Sequence, residues 1–93
     1  MPRPRRRRRI RGKPRADLFK PAGIPARELE TVTLRRDEFE AIRLKDHQGL
    51  SQEETADQMG VSQPTLHRLL KDARKKIAEA ITEGKAIGIS SRQ

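Results

Sequence analysis

The chain has 93 residues, no cysteine, two phenylalanines as its only aromatics, 38% charged residues and a formal net charge of +9. These figures allow one small domain with a thin aliphatic core, and they exclude disulfides, thiolate metal centres and a cysteine nucleophile. No apolar run approaches the roughly 18 residues of a membrane span, so the expected location is the cytoplasm and, given the charge, the nucleoid.

The charge is not evenly spread. Of 22 basic residues, nine (Arg3, Arg5, Arg6, Arg7, Arg8, Arg9, Arg11, Lys13 and Arg15) lie in residues 1–15 with no acid among them, leaving 13 to balance 13 acids. Like charges and interspersed prolines predict that 1–15 is a disordered basic arm. A domain over 16–93 follows it. Within that domain, 37–58 is acidic and 59–93 basic.

Residues 16–27 contain two prolines and a glycine and are expected to form a non-helical loop pinned by Leu18, Phe19 and Ile24. The alternation of Leu29 to Leu34 predicts a short strand. Asp37 to about His47 should form the first helix, with Phe39 and Ile42 inward and acids near its positive end. Gln48-Gly49 ends it.

Residues 51–70 read as a helix-turn-helix. Ser51 and Glu54 have capping-box spacing. Ala56 is small where two helices must cross, and Gly60 stands where a left-handed C-terminal residue is wanted. Val61 plugs the turn, Ser62 caps the next helix and Pro64 is tolerated in its first turn. Leu66, Leu69 and Leu70 form the buried stripe. The third helix meets no breaker before Gly84, and its stripe continues through Ala73, Ile77, Ala80 and Ile81. Such length must cover the first helix or a second copy of the chain. Residues 86–90 alternate like a strand and are expected to pair with 30–34 as a two-stranded ribbon, within one chain or between two.

In a helix-turn-helix protein the second helix of the motif enters the DNA major groove. Gln63, Pro64, His67 and Arg68 should face outward at its start and read bases. Gln63 suits adenine and Arg68 guanine. Ser62, Thr65, Lys71, Arg74 and Lys75 suit the DNA backbone, as do Arg3, Arg5, Arg6, Arg7, Arg8, Arg9 and Arg11 of the arm, along phosphates or in the minor groove. No aromatic interleaves with the arginines, which argues against a stacking platform for single strands. No glycine-rich phosphate loop is present. His47 and His67 have no second ligand at metal spacing. The acids Asp37, Glu38, Glu40, Asp46, Glu53, Glu54 and Asp57 fit helix-terminus and surface roles. No enzymatic activity, metal or cofactor is therefore expected.

Several blocks carry a family resemblance: Pro2-Arg3-Pro4-Arg5, Phe19-Lys20-Pro21-Ala22-Gly23-Ile24-Pro25, 37–44 and 73–80. Together they resemble the domain-of-unknown-function 134 family of small prokaryotic predicted DNA-binding proteins, whose helix-turn-helix is similar to the promoter-reading fourth region of sigma-70 factors. The resemblance spans nearly the whole chain and implies a cytoplasmic DNA-binding regulator. Members often carry cysteine in the opening arginine cluster, where this chain has arginine throughout. They also often have Ser or Thr where Arg35 stands, so the first helix here is expected to begin at Asp37.

The expectation is a mostly α protein: a three-helix, helix-turn-helix domain with a long third helix, a short β ribbon and a disordered basic arm. It would bind double-stranded DNA sequence-specifically as a homodimer or larger homo-oligomer and regulate transcription. The alternative is an RNA-binding protein, or a sigma-region-four-like module that contacts RNA polymerase or another protein.

Overall fold

In the computed structural model the described residues are 9–91. Their elements run β1 (Leu18–Phe19), a 3₁₀ turn at Ala26–Glu28, β2 (Thr31–Leu34), α1 (Arg36–Ile42), a π-helical segment (Arg43–His47), α2 (Gln52–Met59), α3 (Gln63–Glu83) and β3 (Ala86–Ile89). The protein is mostly α, as its sequence implies.

Both predicted caps form. Ser51 Oγ accepts from the Glu54 amide at 3.0 Å, and Glu54 Oε1 accepts from the Ser51 amide at 2.9 Å. Ser62 Oγ accepts from the Thr65 amide at 3.2 Å. Gly60 closes α2 at φ 68°, a left-handed conformation that a side chain would strain. The turn seats Val61, whose amide donates to Ala56 O at 3.0 Å. Leu66, Leu69 and Leu70 then reach one cluster with Ala41, Leu44, Ala56 and Met59. This is the core of the helix-turn-helix, and α1 supplies its third wall.

The first helix differs from expectation at both ends. It starts at Arg36, one residue early: Glu38 Oε1 accepts from the Arg35 amide at 2.8 Å, the glutamate half of a capping box, while Arg35 supplies no side-chain acceptor in return. At Ile42 the α-helical pattern gives way to π-helix as far as His47. Phe39 and Ile42, expected inward, are only half-buried. The interior positions of α1 are instead taken by Asp37, Glu38, Glu40 and Ala41.

The ribbon is a three-stranded sheet in the order β1-β3-β2. β3 pairs parallel with β2 (Thr31 with Ala86, Leu34 with Ile89) and antiparallel with β1 (Leu18 with Gly88). The whole helical unit is thus the crossover between two parallel strands, and the pairing lies within one chain. Leu34, Ala73, Ala80 and Ala86 are buried, so small residues on α3 let the helix lie close over the sheet. That covers much of the helix's extra length. Ile81, assigned to the buried stripe from sequence, is 75% exposed.

The Phe19 loop is held differently from the prediction. Leu18, Phe19 and Ile24 are exposed rather than anchoring. The loop is closed by Lys20, whose ammonium donates to Ile24 O at 2.7 Å and to Pro21 O at 3.4 Å. Leu18 and Phe19 form the third strand, absent from the sequence reading. Among the described residues, no helix is long and apolar enough to cross a membrane.

Candidate nucleic-acid interface

The candidate surface begins where α3 begins. Gln63, Pro64, His67 and Arg68 are all exposed, because Leu66, Leu69 and Leu70 fix the opposite face to the core. Four side chains of the types that read or fit base edges therefore stand together on one and a half turns. Arg68 reaches back to Thr65 Oγ1 at 3.4 Å, and Thr65 Oγ1 also accepts from Ser62 Oγ at 3.0 Å. Ser62 and Thr65, both predicted to touch the DNA backbone, thus spend their hydroxyls on the helix cap.

Farther along α3, Lys71 and Lys75 are exposed. Arg74 is committed elsewhere. Its guanidinium grips Asp46 at 2.7 and 3.0 Å, a bidentate pair that ties α3 to the π-helical segment. Hydrogen bonding to Arg74 holds the Asp46 carboxyl below its ordinary range, and Asp46 in turn raises the Arg74 guanidinium. A phosphate contact from Arg74 would have to compete with that pair.

The arm lies against the domain from Arg9 onward. The Arg9 amide donates to Met59 O at 3.0 Å and its guanidinium to Asp57 O at 2.9 Å. These carbonyls end α2, where the helix dipole favours a cation. The Arg9 side chain passes over Gly60, within 3.1 Å of where a Cβ would stand. Residue 9 is therefore fixed beside the turn that leads into α3. Arg3, Arg5, Arg6, Arg7 and Arg8 lie outside the described residues.

Two residues on, the arm meets a clamp. Glu40, 1% exposed in its side chain, accepts from the Arg11 amide at 3.0 Å, the Gly12 amide at 3.2 Å, and Arg43 Nε and Nη2 at 2.7 and 2.8 Å. Arg36 closes the loop by donating to Gly12 O at 2.8 Å. Burial opposes ionisation of Glu40, but Arg43 and the two amides outweigh it and hold the carboxyl below its ordinary value. A Cβ on Gly12 would sit 2.0 Å from Arg43 Nε, so only glycine leaves room for the guanidinium. Disorder, expected over all of 1–15, does not describe residues 9–12. The Arg11 side chain remains exposed while its backbone is held.

The other acids divide in two. Glu53, Glu54, Asp57 and Asp46 are exposed, as surface charges should be. Glu38, also 1% exposed, instead accepts from Lys76 at 2.7 Å and joins α1 to α3. Asp37 is buried beside Arg35 at 3.5 Å. Sequence reasoning missed Glu40, Arg43, Arg36 and Gly12 as a unit. The only local hint was the i, i+3 spacing of Glu40 and Arg43.

Comparison with known proteins bears on the whole chain. The family model described as "Protein of unknown function DUF134" matches residues 1–92. The chain belongs to the DUF134 family. Within curated relatives it is 54% identical over 89 residues to a UPF0251 protein of Caldanaerobacter subterraneus subsp. tengcongensis, covering 96% of this chain and 75% of that one. A UPF0251 protein of Moorella thermoacetica is also 54% identical over 89 residues, with 96% of this chain and 60% of the relative covered. A third, from Halothermothrix orenii, is 55% identical over 87 residues, with 94% and 64% covered. This chain therefore spans less than two thirds of the last two relatives. No solved structure matches it.

Proposed function

We propose that this chain binds double-stranded DNA sequence-specifically and regulates transcription. In this reading α3 lies in the major groove and the arginine arm on the adjacent backbone or minor groove. The observation that carries it is the outward cluster of Gln63, Pro64, His67 and Arg68 at the start of α3, delivered by a turn whose every cap is satisfied. Gln63 reads adenine and Arg68 guanine by paired hydrogen bonds. Lys71 and Lys75 meet phosphates where the helix leaves the groove. The arm adds cations beside the same turn, because Arg9 is fixed at Met59 and Asp57.

Small size and a thin core favour a homodimer, which would place two α3 helices on half-sites about 34 Å apart or a multiple of that.

Selection of bound sequences from a random duplex pool tests the reading. The wild-type chain should enrich a defined site. Gln63→Ala and Arg68→Ala should each lose preference at one position, by about 1–3 kcal/mol of discrimination, and keep non-specific binding. Failure to enrich any duplex, with tight binding to single-stranded RNA, refutes it.

A further inference from the structure

Both phenylalanines of this chain, its only aromatic residues, lie outside the buried core and line the same cavity. Phe39 is half-buried and Phe19 is 54% exposed. Ile42 of α1 and Ile89 of β3 add aliphatic surface to the lining. The cavity measures about 580 Å³, inside the roughly 300–1,000 Å³ span of small-molecule sites.

The charged side chains of the lining have one sign: Lys13 and Arg15 of the arm and Arg43 are cations, His47 and Gln48 add polar edges, and no acid lines the cavity. Glu40 holds Arg43 through both guanidinium contacts, which fixes that cation in place. Lys13 and Arg15 are exposed and make no ion pair among the described residues. The π-helical turn from Arg43 to His47 supplies two of these groups, and such turns often occur where helices serve a site. Walls of aromatic and aliphatic carbon under a cationic rim suit a molecule with an apolar body and one negative end.

We propose that this cavity binds a small amphipathic anion, with a carboxylate or phosphate group on an aromatic or aliphatic body. The body lies against Phe39, Ile42, Phe19 and Ile89, and the anionic group meets Lys13 and Arg15. The assignment does not depend on DNA binding. It does make the arm one wall of the site, so occupancy and the path of residues 13–16 are linked.

The test is a heteronuclear NMR titration of the full chain with 4-phenylbutyrate, 4-phenylbutyl phosphate and the neutral 4-phenylbutan-1-ol. The two anions distinguish carboxylate from phosphate. The expected result is saturable amide shifts centred on Phe39, Ile42, His47 and Ile89 with at least one anion, and binding about tenfold weaker for the alcohol. Lys13→Gln with Arg15→Gln should reduce the anion to the alcohol's affinity. Ile42→Trp, which fills the cavity, should abolish the shifts. If that variant does not fold, Phe19→Ala, at an exposed position, should weaken binding of both anion and alcohol. Several results overturn the proposal: no saturable shift with either anion at millimolar concentration, equal affinity for the alcohol, or shifts centred on Ile81 instead. So does the same shift pattern produced by raising protein concentration alone, which would mark a contact between copies.

Discussion

The opening turns of α1 and of α3 are both rich in polar side chains, yet they use them in opposite ways. On α1, Asp37, Glu38 and Glu40 point inward and are consumed by Arg35, Lys76, Arg43 and two arm amides. On α3, Gln63, His67 and Arg68 point outward, over an apolar stripe that packs the start of the helix on the core. The acids therefore build the scaffold, and the polar residues of α3 are left for a partner. Charge by itself distinguishes neither role; the company of each residue does.

That contrast can be broken by substitution. The largest effects should come from the shared core: Leu66→Ala, at a position with no exposure, is expected to cost about 3 kcal/mol in denaturant unfolding. Glu40→Ala should come close to it, at about 3 kcal/mol, because it strands Arg43 and two amides at once. Hydrogen exchange should also show the Arg11 and Gly12 amides losing protection. If Glu40→Ala proved as mild as a surface change, the claim that α1 acids are structural would fail.

Gly12→Ala comes next. It keeps every charge but forces a methyl into the Arg43 guanidinium, so roughly 1–3 kcal/mol and the same loss of amide protection are expected. Ser51→Ala removes a cap at the other end of the motif for about 1 kcal/mol. Smallest are Gln63→Ala and Arg68→Ala. Each should change stability by less than about 0.5 kcal/mol, as exposed positions do, while altering the preferred DNA site.

Acid sharpens the same comparison. Burial disfavours the Glu40 carboxylate, yet Arg43 and the amides bring the carboxyl below its ordinary 4.5 in the folded chain. A group depressed on folding stabilises fully above its unfolded value, and that contribution is lost as pH falls through the folded value. The stability gap between the wild-type chain and Glu40→Gln should therefore narrow progressively as pH falls below about 5. The gap between wild type and Gln63→Ala should stay flat, since glutamine does not titrate.

What could be read in advance was local. Ser51, Glu54, Gly60, Ser62 and the leucine triplet act on neighbours within a few residues, so spacing alone revealed the helix-turn-helix. The long α3 was legible for the same reason. Glu40 was not, because its partners Arg11 and Gly12 lie 29 and 28 residues away and offer backbone amides, which no side-chain pattern records. Arg74 looked like a phosphate ligand until Asp46 was found beside it. β1 was hidden because two residues cannot show a period, and Phe19 and Leu18 resembled anchors only on hydropathy. Exposed apolar residues such as Phe19 and Ile81, and buried acids such as Glu38 and Glu40, are where the described residues depart from simple partition.

The order of the sheet also bears on how the chain is made. β3 is the central strand, with β1 and β2 hydrogen-bonded to it and not to one another, yet it is the last of the three to be synthesised. A nascent chain that already holds all three helices still has two edge strands waiting. At about 5–20 residues per second, the helix-turn-helix has seconds to collapse around its leucines before Ile89 arrives to latch the arm-side loop to the far end of α3.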